Sequence, residues 1–274
     1  MKKRKSTGKN LWGLAALVCC IVAVCAGIVL IMRMQKQTQA NDTYEELQNQ
    51  VQVADTESTQ VSELGITIPE KDLDWDALRE ENEDIYAWIY VPNTTVDYPV
   101  LQHPTDNSYY LNYNLDGTKG YPGCIYSEDY NSKDFTDIHT VLYGHNLKDK
   151  TMFSTLHNFE DPQLFEQDNY IYIYTPDYVY VYQIFAAYEY PAIHLLANYD
   201  YSNEYVYEEF LKSIYNTVDR VARVRSDITV TTEDKILTLS TCTSDHNSDL
   251  RFLVTGVLLN PREQQTHAAK RNHN

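Results

Sequence analysis

Residues 235–259 read KILTLSTCTSDHNSDLRFLVTGVLL. Two apolar runs, 236–240 and 252–259, flank a polar loop with Cys242 at its entry and Arg251 at its exit. Alternation in the first run, followed by a cluster of Ser, Thr, Asp and Asn, predicts strand, loop, strand. A single thiol at a strand end can act as a nucleophile held on a rigid element while the loop shapes access to it. The same thiol can equally be a buried core side chain, and this stretch alone leaves both uses open.

Upstream, Ile171 and Ile173 alternate with Tyr170, Tyr172 and Tyr174. Val179 and Val181 alternate with Tyr178, Tyr180 and Tyr182, and Pro176-Asp177 joins the two runs as a predicted hairpin over 169–190. A short apolar strand at 140–143 ends in Gly144-His145-Asn146, where the glycine permits a turn that presents His145 at a strand edge. Residues 87–101 break into short strands around a Pro-Asn turn, and Pro99 argues against a long central strand. Helices are expected at 73–83, with Asp72 or Asp74 as cap, at 151–159, and at 203–218, where Val206, Phe210, Ile214 and Val218 mark one face. Residues 221–231 read as a returning strand. The order indicates a mainly β domain with peripheral helices, with no regular βαβ series.

The chain has 274 residues, 24 of them tyrosines. Seven of its 22 Lys and Arg lie in residues 1–36, which hold no Asp or Glu, leaving 15 basic against 39 acidic side chains beyond. Such an acidic domain opposes an extended nucleic-acid surface. Of five cysteines, Cys19, Cys20 and Cys25 fall in an apolar segment, leaving Cys124 and Cys242. Two thiols make no disulfide framework, and no CxxC pair or acidic cluster calls for a metal, so no cofactor is expected. Cys124, in YPGCIY, reads as apolar packing.

Residues 11–32, LWGLAALVCCIVAVCAGIVLIM, carry no formal charge. As an α-helix, about 22 residues match a hydrocarbon core of about 30 Å. Five basic residues precede this run, which keeps the N-terminus cytoplasmic and sends the rest outside. The expected organisation is a basic tail at 1–10, a transmembrane anchor at 11–32, a stalk at 33–65 holding at most a short helix near 43–52, a folded domain at 66–260 and a polar tail at 261–274.

Cys242, His145 and Arg251 form a sensible acyl-transfer set. A thiolate attacks a carbonyl far better than a thiol. A nearby imidazole can hold the thiol proton and return it to a leaving amine. A guanidinium can donate to the carbonyl oxygen as charge develops. Capping a turn is the ordinary alternative for His145, as for His103, His139, His157 and His194, while His246 is close to Cys242 in sequence but on a flexible loop, which does not establish attack geometry.

The segments TLSTC at 238–242, YGHN at 143–146 and RFLV at 251–254 resemble, in this order, the cysteine, histidine and arginine motifs of the sortase family. WIYVPNTTVDYPVLQ at 88–102 and GHNLKDKTMF at 144–153 are similar to its class B branch, as is the long helix before the final strands. The resemblance covers roughly 73–259. It implies a closed sortase-type β-barrel, preceded here by the transmembrane helix, and a membrane-tethered cysteine transpeptidase of a Gram-positive surface. Cys242, His145 and Arg251 would be catalytic, with Thr241 supporting substrate or oxyanion contacts. The enzyme would cleave a C-terminal sorting signal of surface proteins between Thr and Gly, and pass the Thr acyl group to a peptidoglycan-precursor amine. A pilin-polymerising enzyme using a lysine amine, a hydrolytic cysteine protease and an inactive surface-binding domain are the alternatives.

Overall fold

The tyrosine-rich alternation forms the hairpin it predicts, and that hairpin closes a barrel. The structure, a computed structural model, describes residues 7–51, 60–61, 65–245, 247–259 and 263–264. Its barrel strands are β1 (Ile85–Tyr90), β2 (Asp97–Leu101), β3 (Ile125–Tyr126), β4 (His139–Tyr143), β5 (Tyr170–Tyr174), β6 (Tyr178–Pro191), β7 (Ile236–Cys242) and β8 (Leu250–Leu258). They pair in the order β8-β7-β4-β3-β2-β1-β5-β6, and β6 returns to β8, so the barrel is closed. Two pairs are parallel, β2 with β3 and β4 with β7. Pro99 is tolerated inside β2 because β3 pairs only from Val100 onward, leaving no rung there for a missing N–H to break.

Alternation along the strands sorts side chains between two cores. Leu237, Leu239, Phe252 and Val254 enter the main cluster with Trp88. Ile236, Val141, Leu253 and Val257 point the other way, into a second cluster beneath the helix Glu204–Tyr215. Asn203 caps that helix by accepting from the N–H groups of Tyr205 and Val206. Its buried face is Tyr207, Phe210, Leu211 and Ile214, while Val218 lies beyond the helix and 96% exposed. The apolar stripe is therefore offset from the one expected, because tyrosine supplies much of the packing area.

Two other expectations change. The helix at 151–159 is a 3₁₀ turn, Ser154–Glu160, and Thr151 bonds Asp149 rather than capping it. The strand at 221–231 shrinks to Arg223–Val224, which pairs with Ala187 and Ala186 on the stretch of β6 that runs beyond β5. Glu263–Gln264, in the expected polar tail, pair with Val179 and Tyr178; the rest of that tail lies outside the described residues.

The largest departure is at the N-terminus. Thr7–Gln50 is one helix, about 66 Å long at the usual rise, and it is long and apolar enough to cross a membrane. Beyond residue 39 it is no free stalk, because Ala40, Tyr44, Leu47 and Val51 are buried, the last three in the main core. Tyr44 packs edge-on against Tyr98, and Gln37 and Asn41 donate to Asp149. Four buried side chains at helical spacing on a polar background were too sparse to announce a core face. Leu47→Ala is expected to cost about 2–4 kcal/mol. A fall in thermal midpoint of the full chain would register it, and an unchanged midpoint would mean that this helix does not hold to the barrel.

Candidate active site

Three strand ends meet on the helix-covered side of the barrel. β7 lies between β4 and β8, with Ser240 opposite Tyr143 in parallel register and Cys242 opposite Arg251 in antiparallel register. Gly144 N–H donates to Ser240 C=O (3.2 Å), extending the parallel ladder and bringing His145 level with Cys242. Cys242, the last residue of β7, is partly exposed. It shares the face of Ile236, Thr238 and Ser240, beyond the shelter of the helix Glu204–Tyr215. Gly144 is needed for space, since an added Cβ would lie 2.5 Å from Ile125 Cδ1 and 2.8 Å from the Phe153 ring.

His145 stands in a wall built by residues 109–124. Its Nε2 donates to Leu111 C=O (2.7 Å), and Tyr121 meets the ring edge-on at 5.1 Å. A carbonyl only accepts, so the Nε2 proton is fixed and Nδ1 is left with its lone pair. Burial pushes the histidine pKa down, partly offset by that carbonyl, so neutral imidazole is favoured. Gly123 closes the wall with φ +70°, and a Cβ there would sit 2.9 Å from Tyr110 O and 3.2 Å from His145 Cδ2. Gly123→Ala is expected to slow acylation about tenfold or more through a displaced imidazole. A variant that folds and turns over normally would show that the ring has slack.

Arg251 Nη1 donates to Leu250 C=O (2.7 Å) and Ser248 C=O (3.2 Å), which holds the guanidinium at the loop exit. Its charge reaches the Tyr126 phenol. Thr241 points to the opposite face from Cys242, is 2% exposed, and its Oγ1 has no partner among the described residues. Its side chain therefore does not share the face of Cys242.

Sequence reading passed over several neighbours of the site. Asn146 Nδ2 donates to the carbonyls of Cys242 (3.1 Å) and Thr243 (3.3 Å), and His157 Nε2 lies 3.0 Å from Cys242 O. Asn146 closes the histidine motif and His157 follows 11 residues on, and only tertiary pairing brings them near residue 242. His194 caps Leu195–Asn198 and reaches Glu128. His139 is fully buried against Thr238, and burial pushes its pKa to about 3. His246 lies outside the described residues.

The Sortase domain family profile matches residues 89–259. The chain belongs to the sortase family. A sortase B of Listeria monocytogenes is 30% identical over 183 residues, covering 66% of this chain and 72% of the relative. The structure of a Staphylococcus aureus sortase B–substrate complex superposes with TM-score 0.65 at 27% identity, covering 83% of this chain and 99% of the other. A sortase B complexed with triglycine gives TM-score 0.65 at 27% identity, covering 82% and 99%. These place this sortase in class B and make it a cysteine transpeptidase.

The second soluble-domain thiol of this sortase is buried behind the histidine wall. Tyr44 donates to Gly123 C=O (2.8 Å) and lies 3.1 Å from Cys124 Sγ, and burial pushes that thiol's pKa up to about 12. Cys124 is a packing residue and stays protonated. Among the described residues no cluster of His, Cys, Asp and Glu could hold a metal ion.

Proposed function

We propose that Cys242 attacks the Thr carbonyl of a C-terminal sorting signal and cleaves the Thr–Gly bond. Sγ forms the bond to the carbonyl carbon as the thiol proton passes to His145 Nδ1. The tetrahedral intermediate collapses, His145 returns the proton to the leaving glycine amine, and Thr remains as a thioacyl enzyme. A peptidoglycan amine then attacks, His145 takes its proton, and the thiolate leaves with the new amide formed. Arg251 donates to the carbonyl oxygen as it gains charge, or holds the substrate backbone beside it. Thr241 serves the interior through packing. The single observation that carries this reading is the alignment of β4, β7 and β8, which sets His145, Cys242 and Arg251 side by side.

Residues 11–32 anchor the enzyme, with the basic N-terminus cytoplasmic and the barrel outside. A membrane-retained surface protein and its sortase then meet in two dimensions. The test is incubation with a sorting-peptide library and candidate amines, followed by mass analysis. A thioacyl adduct on Cys242 and an amide-linked product are expected. A free Thr carboxylate alone, with amine in excess, would make the enzyme a hydrolase; an adduct on another residue would remove Cys242 from the first step. Arg251→Ala is expected to slow acylation by about 10²-fold or more, and a normal rate would remove the guanidinium from that step.

A further inference from the structure

The carbonyl of the nucleophile is held by side chains rather than by the sheet. The parallel ladder between β4 and β7 ends with Gly144 N–H donating to Ser240 C=O. One rung further, Asn146 Nδ2 takes the position a backbone N–H would fill and donates to Cys242 C=O at 3.1 Å. His157 Nε2 approaches the same oxygen at 3.0 Å, from the 3₁₀ turn Ser154–Glu160.

The imidazole of His157 is held on its other sides too. Its Nδ1 lies 2.6 Å from Glu160 Oε1. Ser244 Oγ lies 2.9 Å from Nδ1 and 3.1 Å from that same carboxylate oxygen. The ring stacks on Phe252 at 4.4 Å and 25°, and Phe252 faces Thr241 across the ladder. Nε2 thus faces the Cys242 carbonyl, with Asn146 Nδ2 also 3.1 Å away, and Nδ1 faces the Glu160 carboxylate and the Ser244 hydroxyl.

We infer that His157 is a positioning residue for Cys242, holding the nucleophile's peptide through its carbonyl while Glu160 orients the ring. Sγ hangs two bonds, Cα–Cβ and Cβ–Sγ, from the Cα that this peptide fixes. A slip of the last β7 peptide moves the sulfur by a similar distance, and misplacement by about 1 Å can cost about 10²-fold in rate. In a strand the carbonyl lies in the plane of the sheet while the side chain stands out of it, so a contact to the carbonyl does not occupy the face that carries the thiol. This inference rests on Cys242 being the nucleophile.

The test compares full-length His157→Leu and His157→Gln, following thioacyl formation with a sorting peptide by rapid quench. Leucine keeps apolar packing on Phe252 and removes the donors; glutamine restores a donor at similar reach. His157→Leu is expected to lower kcat for acylation about tenfold or more, with KM changed less than about twofold, and His157→Gln to recover to within about threefold of wild type. Wild-type kcat in His157→Leu would overturn the inference. So would a glutamine variant as slow as the leucine one at equal thermal stability. If His157→Leu does not fold, Glu160→Gln decides: a kcat about threefold lower at unchanged KM is expected, and an unchanged kcat overturns the pairing. Turnover in Cys242→Ala would instead defeat the nucleophile assignment, whereas an inactive Cys242→Ala beside a normal His157→Leu would defeat only the positioning role.

Discussion

Replacing Cys242 by alanine is expected to abolish both cleavage and amide coupling, leaving less than about 10⁻³ of the wild-type rate. Among the described residues, the substitution removes the one thiol at the site, the atom a thioacyl bond needs. Cys124 cannot, because its thiol is buried against Tyr44 and held protonated. Stability should hardly change, since Cys242 is partly exposed at a strand end and loses only Sγ. The measurement is acyl-enzyme formation by mass, with thermal unfolding as control. Retained turnover at an unchanged midpoint would place the chemistry on another residue.

His145→Ala is the second large effect, expected at about 10²–10⁴-fold on acylation. Its pH signature separates a proton carrier from a packing residue. Burial lowers the histidine pKa below its ordinary 6.5. The productive form keeps His145 neutral, ready to take the thiol proton as Sγ attacks. Rate should therefore rise with pH through the lowered histidine pKa. The acid limb of kcat/KM is expected below pH 6.5. Tyr121→Ala, which uncovers one edge of the ring, should move that limb upward by relieving desolvation. An acid limb that stays put in Tyr121→Ala and persists in His145→Ala would assign it to another group. The same shift affects stability: the unfolded chain binds the proton more readily, so stability from neutral His145 is present above pH 6.5 and is lost as pH falls.

The N-terminal helix and the histidine wall are physically continuous. Tyr44 donates to the carbonyl of Gly123, and Gly123 leaves no room for a Cβ beside His145. Gln37 and Asn41 hold Asp149 in the loop that follows the histidine. Nothing in residues 33–51 revealed this, because Gln, Asn, Asp and Thr separate the few apolar positions and read as solvated stalk. Their partners lie about 80 to 110 residues away in the chain.

By itself, the sequence determined the strand-forming segments, the apolar N-terminal run and three residue types suited to acyl transfer. Those properties are local: alternation declares a strand, an uncharged run of 22 residues declares a helix long and apolar enough to cross a membrane, and thiol, imidazole and guanidinium carry their chemistry with them. Tertiary structure decided everything that depends on register. Parallel pairing of β4 with β7 brings His145 to Cys242 across 97 positions, as Asn146 shows by reaching Thr243. It also put Thr241 on the far face, His157 and Glu160 beside the Cys242 peptide, and the end of the N-terminal helix inside the core. A strand's side chains alternate whatever its neighbour, but which atoms they meet is set by the strand laid beside it.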